Sequence, residues 1–257
     1  MTTSNPLLDN QLNTLVPALE PLPPHVTLSH GLALRQSYAT LLAALLTSQT
    51  SISAGQQQLF TRLLGAMELT HWQTSLLAQS QGLESSALDG ILQALRAGGF
   101  ALPLLTEALL LLRIDGPLDA AAAGRIAQLA QCLGGTVAMQ DQATQWAAAI
   151  LGLKGEEWGK LPFHAYSVSV ARHFVVDRKF NPEVKSGSRV NKGALLMNYR
   201  KDNSERALKS TSAGLVFFNI KTFKDRRDYK FVVCDFPASL DSWREFIDFA
   251  ALAEEYI

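Results

Sequence analysis

The residues of this chain that could do chemistry are lysines and arginines placed between the predicted β-strands of the C-terminal half. They are Arg178, Lys179, Lys185, Arg189, Lys192, Arg200, Lys201, Lys224, Arg226 and Arg227. Cationic loops attract phosphates and carboxylates, and nearby aromatic residues such as Phe223 can stack on nucleic-acid bases. If the loops meet at one end of the sheet, they form a surface that binds nucleic acid or another polyanion. The alternative is that they only keep the domain soluble.

Two short segments in this region place an acid two residues before a lysine, namely Asp177-Arg178-Lys179 and Glu183-Val184-Lys185. In metal-dependent nucleases, such an acid binds the metal ion and the lysine steadies the attacking water. Both segments, however, lie in or beside a loop that contains Pro, Gly and Ser, and neither has an evident partner acid upstream. The sequence therefore favours a protein without catalytic residues or cofactors. A nucleic-acid-binding protein with metal-dependent nuclease activity is the alternative.

Charge is distributed unevenly along the 257 residues, although the net charge is zero. All ten lysines lie at or after Lys154, whereas all fifteen glutamines lie at or before Gln145. Residues 154–230 carry seventeen basic against eight acidic side chains, and the stretches on either side are acidic. This sorting predicts two domains that meet near residue 153, the second with a basic surface.

The first domain, residues 28–153, is predicted to be all-α. Residues 1–27 contain Pro17, Pro21, Pro23 and Pro24 and are expected to form an extended arm before it. Apolar residues then recur with a period near 3.6, for example at Leu59, Leu63 and Met67. About seven such segments, with short loops and no β-rich run, predict a helical bundle.

Two stretches of the helical domain align at an offset of sixty-six residues. The alignment pairs Ser53 with Asp119, and both are residue types that cap helices. It also pairs Phe60 with Ile126 in the helices that follow. Two explanations stay open, a true internal duplication and chance agreement between segments rich in leucine and alanine.

The segment LLLRIDGPLDAAAAGRIAQLAQCLGG resembles the repeat of the TerB-like helical domains, first known from tellurite resistance. In that family two similar units pack pseudo-symmetrically, and each often contains an acidic D-G-x-[LIV]-x-x-x-E segment. The resemblance covers residues 38–152. Asp115-Gly116 and Leu118-Asp119 fit the pattern, but alanines replace the downstream acid.

Asp115 and Asp119 are therefore the candidate metal ligands. A hard divalent cation needs several anionic oxygens at one point, and two aspartates supply too few. The alternative is that Asp115 belongs to a turn and that Asp119 caps a helix. The sequence favours this structural role for both.

The second domain, residues 154–257, is predicted to be a small α+β domain. Strand candidates with a period of two are residues 165–170, 194–199, 214–220 and 229–236. After Pro237, an amphipathic helix capped by Ser239 or Asp241 is expected to cover one face of an antiparallel sheet. The fold class is thus multi-domain, with an all-α bundle followed by an α+β domain that ends in a helix.

Cys132 and Cys234 lie in apolar patterns, one in each domain, and both are expected to be buried thiols rather than a disulfide. No basic or apolar leader pattern occurs before Arg35. The most apolar run, residues 100–114, is too short to span a bilayer. A cytoplasmic protein with no membrane span is expected.

These observations lead us to expect a non-enzymatic adaptor. Its helical domain would dock a protein partner, and its basic domain would bind an anionic or protein partner. The TerB-like resemblance implies a setting in bacterial stress response or defence, because such domains are usually attached to other modules in those systems. A small-molecule or metal sensor that uses the helical bundle is a third possibility. The partner's identity and the oligomeric state stay open.

Overall fold

In the computed structural model, the described residues are 22–153, 163–171, 182–201 and 204–249. By contact, the chain forms two compact units. One comprises Met1–Leu104 with Leu111–Gly134, and the other comprises Leu105–Leu110 with Gly135–Ile257. The predicted layout, helices followed by an antiparallel sheet and a closing helix, is confirmed.

Seven α-helices occupy the described part of the N-terminal half. They are α1 (Leu32–Thr47), α2 (Ala54–Ala66), α3 (Gln73–Gln81), α4 (Ser85–Ala97), α5 (Ala101–Arg113), α6 (Ala120–Cys132) and α7 (Val137–Ile150). In the first unit, the apolar stripes of these helices form a core that includes Tyr38, Leu42, Leu63 and Phe100. The rings of Tyr38 and Phe100 meet edge to face, with centroids 6.2 Å apart. Each fully buried side chain of this kind contributes about 1.5–3 kcal/mol.

The helix bounds repeat at the offset of sixty-six residues. Helices α2 and α6 begin and end sixty-six residues apart, and so do the last residues of α1 and α5. The predicted caps are confirmed at equivalent positions. Ser53 Oγ accepts a hydrogen bond from the Gln56 backbone N–H, and Asp119 Oδ1 accepts one from that of Ala122. The bounds and caps of α2 and α6 thus coincide at this offset, and the internal duplication itself stays a prediction.

The second unit contains two sheets. The larger is antiparallel, with strands in the order β1 (Phe163–Ala171), β6 (Arg226–Cys234), β5 (Gly214–Thr222) and β2 (Arg189–Val190). The smaller is a hairpin of β3 (Leu195–Lys201) and β4 (Ser204–Lys209). Four of these strands match the predicted segments, whereas β2 and β4 were not predicted.

The two faces of the large sheet have separate apolar layers. On one face, Val168, Val216 and Phe231 belong to a buried cluster that also contains Leu196 and Met197 of β3. Side chains alternate along a strand, so the neighbouring residues lie on the other face. There the rings of Phe217 and Phe249 stack with centroids 4.7 Å apart.

Helix α7 belongs to the same unit as the sheet. The Trp146 ring meets Phe236 edge to face, with centroids 4.9 Å apart, and Trp146 is completely buried. Helix α7 thus belongs to the compact unit that contains the sheet. The sequence pattern instead assigns α7 to the helical domain that ends near residue 153. Residues 154–162, where the predicted linker falls, lie outside the described residues.

The closing helix is a 3₁₀ helix, Ala238–Phe246, which starts directly after Pro237. The predicted caps, Ser239 and Asp241, are wrong, because no side chain caps this helix. Asp241 instead forms an ion pair with Arg189. Proline has no backbone N–H and restricts the chain to an extended entry, which starts the helix without a polar cap.

Over the residues that the structure describes, no single helix is long and apolar enough to cross a membrane. Helices α4 and α5 reach the required length only together, and they are bent by 118° at the break between them.

Candidate functional site

Strand register places two groups of the described basic residues at opposite ends of the large sheet, while Arg200 and Lys201 lie in the separate β3–β4 hairpin. Arg189 pairs with Leu215 near the start of β5, while Arg227 pairs with Thr222 at its end. Seven residues of strand, at about 3.3 Å each, put roughly 23 Å between these groups. That distance exceeds the Debye length of about 8 Å at physiological salt. The described basic residues therefore do not form the single rim that the sequence suggests.

The group near the start of β5 contains Lys185, Arg189 and Lys192. Arg189 holds the fold together, because its guanidinium donates to Phe236 O at 2.9 Å and to Asp241 Oδ1 at 2.6 Å. Lys185 and Lys192 are exposed. Arg189 is thus engaged within the chain, and the remaining cations here are two solvated lysines.

Several predicted site residues lie on strands, which corrects the expectation that the cations occupy only loops. Arg200 and Lys201 end β3, Arg189 lies in β2, and Arg226 and Arg227 begin β6. The strands extend further than the apolar pattern indicates, because backbone pairing continues into polar, exposed residues. Arg178 and Lys179, with the first nuclease-like segment, fall outside the described residues.

The hairpin between β5 and β6 is the most concentrated basic surface among the described residues. Residues 220–230, which we call the basic hairpin, contain five basic and two acidic side chains. At its tip the Arg226 guanidinium lies 4.5 Å from the centre of the Phe223 ring. Phe223 is 41% exposed and Ile220 is 39% exposed. The hairpin thus presents exposed apolar side chains as well as cations.

Arg226 is partly neutralised within the basic hairpin. Its guanidinium lies 3.2 Å from Asp228 and 3.7 Å from Asp225. Asp228 also accepts a hydrogen bond of 2.7 Å from Ser169 on β1. These contacts order the Arg226 side chain over Phe223. Lys221 and Lys224 of the basic hairpin are also exposed.

Beside the basic hairpin, the outer edge of β5 is unpaired among the described residues, and we call it the open edge. The Val216 N–H donates to Ser188 O at 2.9 Å, and Val216 O accepts from the Gly187 N–H at 2.7 Å, so Val216 faces away from β6. Backbone groups of alternate residues in an antiparallel strand point to the same side. Phe218 and Ile220 therefore also point their N–H and C=O groups outward. No described strand pairs with them there.

The candidate metal ligands have structural roles. Asp115 accepts a hydrogen bond from the Ser53 hydroxyl, and Asp119 caps α6. Within the described ranges, no group of three or more His, Cys, Asp or Glu side chains is close enough to hold a metal ion. In the second nuclease-like segment, Glu183 and Lys185 are both exposed.

The two cysteines differ in environment. Cys234 is completely buried in β6, as expected, and burial together with the nearby Asp235 raises the pKa of its thiol. Cys132 is exposed at the end of α6, so the expectation that it is buried is wrong. The apolar pattern around Cys132 belongs to neighbouring positions of α6, such as Leu129, which do point into the core.

Comparison of the chain with protein-family models, curated proteins and solved structures finds no match. The resemblance to TerB-like domains therefore stays a prediction.

The open edge of β5 is the feature of the candidate site that the sequence pattern did not indicate. Its location depends on β2, a strand of only two residues that covers just the start of β5. The sequence feature that could have indicated this edge is the change along β5 from apolar residues to the polar Asn219 and Lys221. Such a change marks the point where a strand leaves the core.

Proposed function

We propose that the protein is a non-enzymatic adaptor whose sheet-containing unit binds an acidic, extended segment of a protein partner. The segment adds as a strand to the outer edge of β5, next to the basic hairpin. The observation that carries this proposal is the outward-facing backbone of Phe218 and Ile220 beside a cluster of cations. Strand addition of this kind uses backbone hydrogen bonds for affinity and side chains for specificity.

Charge supports an acidic partner segment. Lys221 and Lys224 are exposed near the open edge, and carboxylates on the added strand would lie close to them. On the added strand, every second side chain would lie on the same face of the sheet as the exposed Ile220. A segment that alternates acidic and apolar residues matches both features, because successive side chains of a strand point to opposite faces.

The compact size of the basic surface favours a peptide over nucleic acid. A nucleic-acid groove needs a continuous row of cations along the phosphate backbone. Here the Arg189 side chain is engaged with Asp241 at the far end of the sheet, and Arg226 is paired with two aspartates. Nucleic-acid binding is therefore the second candidate function, supported by the exposed Phe223 beside Arg226.

The first compact unit, which contains α1–α4 and α6 and which we call the helical unit, is the second docking module in this proposal. It exposes the large apolar side chains of Leu32, Ile52 and Ile114. Surface side chains of this kind are common singly, and partner binding would cover them. Two docking modules on one chain define an adaptor, and the setting in bacterial stress response stays an expectation from the resemblance alone.

A direct binding comparison tests the proposed function. The first ligand is a fluorescent peptide of alternating glutamate and valine, and the second is a single-stranded oligonucleotide of similar charge. We expect saturable peptide binding that Lys221→Glu weakens about tenfold, which corresponds to roughly 1.4 kcal/mol. Tight oligonucleotide binding with a steep dependence on salt, and no peptide binding, would replace the proposal with the nucleic-acid function.

A further inference from the structure

A cleft in the helical unit lies between α1, α4 and α6 and has a volume of about 240 Å³. The lining residues from α1 and from α6 have the same spacing along the chain. Helix α1 and the segment after it contribute positions 41, 44, 45 and 48, and α6 contributes 125, 128, 129 and 132. Positions i, i+3, i+4 and i+7 lie on one face of a helix, so each helix turns a whole stripe towards the cleft.

The cleft is lined mostly by apolar side chains, with a few polar ones. The apolar lining consists of Leu41, Ala44, Leu45, Leu88, Leu92 and Leu129. Ser48, Gln128 and Cys132 lie among them, and Cys132 is exposed. A mostly apolar lining with a few polar groups is typical of small-molecule sites.

Arg125 is the only charged side chain among the described residues that line the cleft. Its Nε is buried and has no hydrogen-bond partner in the described part of the chain. A guanidinium nitrogen that loses water without gaining an acceptor destabilises the folded state. A bound anion would supply that acceptor, since guanidinium matches the geometry of a carboxylate.

We infer that this cleft binds a small monocarboxylate with an apolar body, the carboxylate pairing with Arg125 and the body resting on the leucines. A closed cavity of about 150 Å³ accommodates benzene, so the larger cleft here can hold one ring or one medium-length alkyl chain. The single cation on an otherwise apolar wall selects one negative charge on the ligand. This inference is independent of peptide binding at β5, because all lining residues belong to the helical unit.

The test measures octanoate binding by calorimetry, with 1-octanol as the uncharged ligand of the same chain length. We expect saturable octanoate binding to the full chain at least tenfold tighter than octanol binding. Arg125→Gln should weaken octanoate binding at least tenfold and leave octanol binding unchanged. Arg206→Gln is the matched control, because it removes the same charge from an exposed position outside the cleft and should leave octanoate binding unchanged.

A second variant tests the cleft without changing Arg125, so the inference can still be tested if Arg125→Gln does not fold. Ala44→Leu fills the cleft while keeping Arg125, and it should abolish binding of both ligands with little change in the helical circular dichroism spectrum. The inference is overturned if octanol binds as tightly as octanoate, or if Arg125→Gln and Arg206→Gln bind octanoate equally. It is also overturned if wild-type protein shows no saturable octanoate binding up to millimolar concentrations.

Discussion

The indole Nε1 of Trp243 donates a hydrogen bond of 2.9 Å to Oε1 of Glu107, and both side chains are buried. The two residues are 136 positions apart in sequence, yet both belong to the unit that contains the sheet. The bond joins the middle of α5 to the closing 3₁₀ helix. A buried carboxylate needs such donors, since an unsatisfied charged group destabilises the fold more than a neutral one does.

Trp243→Phe should lower the free energy of unfolding by about 1–3 kcal/mol, because it removes a donor to Glu107 and leaves apolar packing largely in place. Urea denaturation followed by circular dichroism measures the change. Glu245→Gln is the control, since Glu245 is exposed on the same 3₁₀ helix and its substitution should change stability by less than about 0.5 kcal/mol. Equal stability of Trp243→Phe and wild type would show that the bond does not stabilise the fold.

Gly55 and Asp115 should be energetically coupled. A Cβ atom at Gly55 would lie 2.6 Å from Asp115 Oδ1, so alanine there must push the carboxylate away from Ser53. Alanine in a helix is otherwise about 0.5–1 kcal/mol more stable than glycine. We expect Gly55→Ala to stabilise the Asp115→Ala variant by about that amount, and to be neutral or destabilising in wild type.

A double-mutant cycle of Gly55→Ala and Asp115→Ala measures the coupling free energy between the two positions, which we expect to be about 0.5–1.5 kcal/mol. Gly124→Ala is a suitable control, because nothing lies within 4 Å of a Cβ atom at Gly124 in α6. It should stabilise both backgrounds equally. If Gly55→Ala does the same, Asp115 does not lie against the start of α2.

The thiols should react in two separate steps. Ellman's reagent should label Cys132 in the folded protein, because that side chain is exposed. Cys234 should react only after denaturation, since burial and the nearby Asp235 raise the pKa of its thiol and lower the thiolate fraction at any given pH. Cys132→Ser should abolish the native reaction. Two thiols labelled at once in folded protein would contradict the burial of Cys234.

The helical half was the more predictable because its signals are local. Ser53 and Asp119 could be identified as caps from residue type and position, since a cap bonds a backbone N–H only three residues away. The exposure of Cys132 could not be read from the same pattern. It depends on which way the end of α6 turns, and the surrounding leucines and alanines fit more than one face.

The sheet was predictable only where apolar residues define it. Strand β4 consists of the polar segment SERALK and pairs with β3 through its backbone, which leaves no apolar alternation to detect. The pairing of Arg189 with Asp241 joins residues 52 positions apart, and this contact uses a cation that the sequence offered as a ligand-binding residue. The candidate site depends on such non-local pairings, so its location required the structure.

The central claim is that a partner strand adds to the outer edge of β5. The most direct measurement compares the affinity of the glutamate–valine peptide for Ile220→Pro and Ser167→Pro. The N–H of Ile220 and, by the same register, that of Ser167 on β1 point away from β6, so proline at either position removes no bond within the sheet. We predict that Ile220→Pro weakens peptide binding at least about tenfold, while Ser167→Pro binds like wild type. Equal affinity of the two proline variants would contradict strand addition at β5.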